Sequence, residues 1–186
     1  MRNRLMTALF VIFSLLILLL PEENRLGSSY KLIYIHVPVT IITIGTLLAF
    51  PVLHFRIGDD SMKALSLSTL LFSIIHLAIS SIFMLLAWGG LIFSEARYVF
   101  SVVLLLFALT HTVLCFLDKR LAKMYSFAIY LTVPYFYIRI VTSDFQLHPS
   151  FVRMPTELYI PYLFSFPLIL IAYVALSRKI EEVLEN

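Results

Sequence analysis

Five histidines, His36, His54, His76, His111 and His148, are the residues of this chain best suited to chemistry. Neutral imidazole is a common metal ligand and changes charge near physiological pH. Two of the five stand where a polar turn meets an apolar run. His36 belongs to Ser28-Ser29-Tyr30-Lys31-Leu32-Ile33-Tyr34-Ile35-His36-Val37-Pro38, and His148 to Thr142-Ser143-Asp144-Phe145-Gln146-Leu147-His148-Pro149. The residue before a proline is pushed out of the α region, so His148 is expected on an extended turn. An imidazole at such a boundary is partly desolvated yet reachable, which suits metal ligation. The same position equally suits an amphipathic anchor like the neighbouring Tyr30 and Tyr34.

The elements that must position these side chains follow from hydropathy. The chain has 186 residues, 61% hydrophobic and 13% charged, with mean hydropathy +0.96. Soluble domains have about 45–50% apolar and about 25% charged residues, so this is the composition of an integral membrane protein. Its net charge of +3 is too small and too dispersed to argue for nucleic acid. Cys115 is the only cysteine, which excludes an internal disulfide, a Cys-x-x-Cys pair and covalent haem attachment. Apolar runs long enough to cross about 30 Å of hydrocarbon predict an all-α bundle of six transmembrane helices in a single domain. The spans are approximately Leu5–Leu20, Tyr34–Phe55, Ala64–Ala87, Val99–Leu117, Met124–Val141 and Leu158–Leu176. The first run ends Leu18-Leu19-Leu20-Pro21-Glu22 without a small-x-small cleavage pattern and is expected to be retained as a span. Nine Lys and Arg fall on the side holding both termini and five on the other, which predicts cytoplasmic termini. Three loops then face outward: Pro21–Ile33, Trp88–Tyr98 and Thr142–Glu157.

Two outward histidines therefore share a face with the loop Trp88-Gly89-Gly90-Leu91-Ile92-Phe93-Ser94-Glu95-Ala96-Arg97-Tyr98, which carries the only tryptophan. Taken alone, that loop is equally a simple interfacial anchor. Together, two imidazoles and an apolar shelf suggest a flat apolar ligand with a metal centre. Haem has that shape. Its iron takes axial imidazole, its faces take aromatic contact, and its propionates pair with cations at the water edge. His36 and His148 are the candidate iron ligands. Tyr34, Trp88, Phe93 and Arg97 are the candidate contacts, with Lys31 and Arg153 as further propionate partners. Zinc is the rival metal, but a closed zinc site wants four ligands with thiolate or carboxylate help, and this face has no cysteine.

At these residues the chain resembles the CcmC branch of the membrane haem-handling proteins of cytochrome c maturation. The segment Gly27 to Pro38 is close to that family's first outward histidine motif. Trp88-Gly89-Gly90 to Glu95-Ala96-Arg97 falls where the family has its tryptophan-rich platform. Asp118-Lys119-Arg120-Leu121-Ala122 is similar to its inner loop, and Leu147-His148 falls at its second outward histidine. The resemblance implies that His36 and His148 ligate a non-covalent haem, most simply haem b, and that Trp88 to Arg97 forms the platform. It implies membrane lipid, a haem chaperone and ABC-type export subunits as partners, and a multi-pass protein of a prokaryotic plasma membrane with an extracytoplasmic site. The chain departs from the family where Leu91, Ile92, Phe93, Ser94 and Glu95 replace further tryptophans and an aspartate.

The remaining histidines fall within or near spans. At 1.5 Å per residue, His76 is roughly 18 Å and His111 about 9 Å from the cytoplasmic ends of their spans, an awkward offset for one haem. His54 and His111 are closer in depth, so an inner haem between them stays open. Hydrogen bonding to Ser73, Ser80, Ser81 or Thr110 is the simpler expectation. No nucleophile–base arrangement is visible, so the leading expectation is a non-enzymatic haem-presenting protein. A cytochrome b-like electron-transfer subunit and a cofactor-free assembly or transport subunit are the alternatives.

Overall fold

The computed structural model describes residues 27–141 and 159–186. The expected first span, Leu5–Leu20, lies outside these residues, as do His148 and the loop that carries it. A short 3-10 turn, Ser28–Leu32, leads into α1 (Ile33–Leu53), followed by α2 (Asp59–Trp88), α3 (Ala96–Leu117), α4 (Lys119–Val141) and α5 (Tyr159–Leu184). Among the described residues the fold is entirely helical.

The breaks have local causes. Gly58 is extended at ψ 167° and starts α2, whose first turn carries Asp59 and Asp60. Acids there complement the helix dipole. Gly89 ends α2 in the left-handed region at φ 73°, which a residue without Cβ adopts at no steric cost. Glu95 caps α3 by accepting from the Tyr98 backbone N–H at 2.7 Å. Asp118, extended between α3 and α4, accepts from the backbone N–H groups of Arg120 (2.8 Å) and Leu121 (3.1 Å). Two orphan donors of α4 depend on that one carboxylate. Asp118→Ala is expected to cost about 1 kcal/mol, read as a lower thermal midpoint in detergent.

The helices pack as a ring of α1, α2, α3 and α4, with α5 laid along α1 and α2. The interior is polar for a bundle. Thr43, Ser66, Ser68, Thr69 and Ser73 are fully buried. Apart from Thr43, whose hydroxyl has no hydrogen-bond partner among the described residues, they bond within the bundle: Ser68 donates to the Ala64 carbonyl and Ser73 to that of Thr69, both at 2.8 Å. Thr69 meets the Tyr173 hydroxyl of α5 at 2.7 Å. The exterior is the reverse, with Val52, Leu71, Ile82, Leu86, Leu106 and Leu131 exposed. Small polar residues between helices and large apolar ones outside is the arrangement expected when the solvent is lipid, because tails as apolar as leucine give no drive to bury leucine.

Among the described residues, four helical stretches are long and apolar enough to cross a membrane: Tyr30–Leu53, Asp59–Trp88, Ala96–Leu117 and Leu163–Leu184. The helices overrun the expected spans at charged ends. α2 starts at Asp59 rather than Ala64, α4 at Lys119 rather than Met124, and α5 reaches Leu184 rather than Leu176. Ion pairs and caps hold these ends in helix, including Lys63–Asp60 at 2.9 Å and Lys119–Asp59. Ser61 of α2 also donates to Glu181 of α5.

Candidate functional site

Histidines meet in pairs at two levels of the bundle. Toward the end where α1 begins and α2 finishes, the His36 and His76 rings are stacked, with centroids 4.6 Å apart and planes 26° from parallel. The turn between α1 and α2 explains this. Arg56 is its midpoint, with His36 twenty residues before and His76 twenty after, so an antiparallel hairpin sets them side by side. His36 is half-buried, whereas His76 is 2% exposed and its Nδ1 has no hydrogen-bond partner.

Beyond this pair lies an aromatic cluster. Tyr30, Ile33, Tyr34 and Phe83 are buried together, with Trp88 packed against them. Tyr30 and Tyr34 meet edge to face at 6.0 Å, and Phe83 and Trp88 at 5.5 Å. Of the candidate contacts, Tyr34 is fully buried, Trp88 and Arg97 are half-buried, and Phe93 is 68% exposed, edge-on to Tyr98 at 5.8 Å. His36 and Trp88 thus belong to one end of the bundle. His148, the other expected ligand, is outside the described residues.

Toward the opposite end, His54 caps α1 and His111 projects from α3, their Nε2 atoms 3.1 Å apart. Cys115, one turn beyond His111 on the same face, brings Sγ to 3.7 Å from His111 Nδ1 and 4.0 Å from its Nε2. The donor atoms of these three residues lie within 4.8 Å of one another. Phe50 stacks on the His111 ring at 4.0 Å and 14°, which fixes the ring plane. His111 Nδ1 is 2.8 Å from Ser66 Oγ, and Ser66 Oγ is 2.9 Å from Thr112 Oγ1. Ser66 was not among the expected partners. It lies seven residues after the start of α2 and His111 six before the end of α3, which puts both at one depth. Ser73 bonds its own helix, Ser80 meets Ser101 at 3.3 Å, Ser81 donates to the Leu77 carbonyl, and Thr110 is exposed.

Neither histidine pair straddles a porphyrin. With metal–imidazole bonds of about 2 Å, trans ligands on one iron hold their nitrogens about 4 Å apart with the macrocycle between. Rings stacked at 4.6 Å, or nitrogens in hydrogen-bond contact at 3.1 Å, leave no space for it. Each pair could instead offer imidazole to a metal from one side.

An all-helical body with apolar outer faces and a small-residue polar interior defines an all-α membrane protein. Comparison with known proteins finds no family model and no curated sequence that matches the chain.

Proposed function

We propose that this is a non-enzymatic membrane protein that holds haem at the outer membrane–water interface and presents it for cytochrome c maturation. His36 and His148 are the residues that would hold the iron. Trp88 and Phe93 supply apolar contact, Arg97 pairs with a propionate, and Tyr34 closes the aromatic cluster from inside. When bound, haem would supply an iron that takes two imidazoles. The chain's own residues hold and orient it at a site open enough for release. Both termini are proposed to be cytoplasmic, in a prokaryotic plasma membrane, with a haem chaperone and ABC-type export subunits as partners.

The observation that carries this reading is His36 itself. It is a half-buried imidazole at the end of the bundle that also holds Trp88, braced from behind by His76. The described residues suit a haem in one respect: the buried His76 ring, stacked on His36 at 4.6 Å, holds the proposed ligand at one angle. The cytochrome b-like alternative needs paired histidines across a porphyrin, which the two pair geometries do not offer. The test is haem titration of detergent-purified protein with visible spectra. One equivalent with a six-coordinate signal is expected, lost in His148→Ala. A protein that stays colourless after haem supplementation overturns the reading.

A further inference from the structure

We propose that His54, His111 and Cys115 form a second, independent site for a thiophilic d10 metal ion, Zn2+ or Cu+. The donor spacing is near that of a bound ion. Two imidazole nitrogens on one tetrahedral zinc, each at about 2.0–2.1 Å, are about 3.3 Å apart, and a nitrogen and a thiolate about 3.6 Å. The protein holds the two Nε2 atoms at 3.1 Å and Cys115 Sγ at 4.0 Å from His111 Nε2. All three donors lie within 4.8 Å of one another, and Cys115 Sγ, now 3.7 Å from His111 Nδ1, swings toward Nε2 to complete the set.

Proton accounting fixes His111 as a ligand in waiting. Thr112 Oγ1 has one hydrogen and lies 2.7 Å from the Ala108 carbonyl and 3.1 Å from that of Ser66, so it donates there. It therefore accepts from Ser66 Oγ–H, and Ser66 Oγ in turn accepts from His111 Nδ1–H at 2.8 Å, with Cys115 Sγ a longer neighbour of that nitrogen at 3.7 Å. This tautomer, assigned from the network, leaves the His111 Nε2 lone pair pointed at His54. A second-shell hydrogen bond on the far nitrogen is the usual device for orienting a metal-bound imidazole. In the metal-free protein His54 Nε2–H donates to that lone pair. On binding, the proton moves through solvent to His54 Nδ1, the Cys115 thiol gives its proton to solvent, and three metal–donor bonds form.

Access and a fourth position are present. A pocket of about 40 Å³ adjoins the donors, lined by His54, Asp59, Met62, Lys63, Cys115 and Lys119. That exceeds the ~10–15 Å³ a water needs. Asp59, paired with Lys119, Met62 or a water can complete the coordination. The donor set excludes hard cations, which prefer oxygen.

The test uses full-length, haem-free protein in detergent, stripped with chelator. It is titrated with Co2+ as a spectroscopic stand-in, with Zn2+ against a chromophoric chelator, and anaerobically with Cu+ against a copper(I) chelator. One equivalent of Co2+ with tetrahedral d–d bands and a thiolate charge-transfer band is expected. Cys115→Ser should remove that band, and Ser66→Ala should weaken binding about 10–100-fold. His54→Gln, at a half-buried helix end where folding tolerates change, should weaken it at least as much. The ion retained more tightly identifies the metal. Failure to bind either Zn2+ or Cu+ stoichiometrically overturns the proposal, as does binding unchanged in both Cys115→Ser and His54→Gln. Because no haem is present, this outcome is separate from that of the haem titration.

Discussion

His36→Ala is expected to abolish the six-coordinate haem spectrum, His76→Ala to weaken haem binding without changing the spectral type, and His76→Phe to do neither. The order follows from what each ring can reach. His36 is half-buried at the Trp88 end, whereas His76 is 2% exposed and packed behind it. A stacked neighbour cannot take the opposite face of the same iron, so removing it leaves the ligand count unchanged. What goes is the surface that holds the His36 ring at one angle. A stacked ring pair is worth about 0.5–1.5 kcal/mol, so losing this support is expected to weaken binding up to about 10-fold. Phenylalanine restores the stack at 4.6 Å without a nitrogen, so rescue by His76→Phe separates support from ligation. Loss of the spectrum in His76→Phe with retention in His36→Ala would reverse the assignment. Absolute spectra and titration midpoints read both effects.

Much of this architecture was legible in the sequence, and the illegible parts have physical reasons. Apolar runs locate the described helices because lipid-facing positions must be apolar whichever way a helix turns. Their ends were read short for a related reason. Asp59, Asp60 and Lys63 look like a loop by hydropathy, yet two acids in a first turn and an i,i+3 ion pair favour helix. The depth match of His54 and His111 was readable from residue counts, and the structure places them in contact. The His36–His76 pair is equally countable from the α1–α2 turn, His36 twenty residues before Arg56 and His76 twenty after. Cys115 lies four residues from His111, a spacing that sets both on one helix face. Rotation about the helix axes decides that Ser66 rather than Ser73 meets a histidine. Residue spacing along one helix carries little of that information, since it depends on how neighbours pack. Whether His148 joins His36 rests on residues outside those described.

Phe50→Ala is expected to destabilise the bundle by about 2 kcal/mol and to loosen the proposed second metal site with it. Phe50 is fully buried in the cluster with Leu47, Met62, Leu104 and Ala108. In a water-soluble core such a truncation costs about 3–5 kcal/mol, part transfer and part cavity. Here the transfer part largely falls away, because a helix separated in the bilayer meets lipid as apolar as the core it left. The cavity part stays: about 24 cal/mol per Å3 over a void of roughly 100 Å3 gives about 2 kcal/mol. The measurement is the fraction folded against increasing SDS in mixed micelles, with Phe50→Leu as the smaller truncation. The same substitution removes the ring stacked on His111 at 4.0 Å. If that stack helps hold the Nε2 lone pair toward His54, Zn2+ affinity in Phe50→Ala falls with stability, whereas Phe50→Leu keeps most of the stability and still loses affinity. Equal affinity in the two variants and the parent would mean that the Ser66–Thr112 chain alone sets the imidazole.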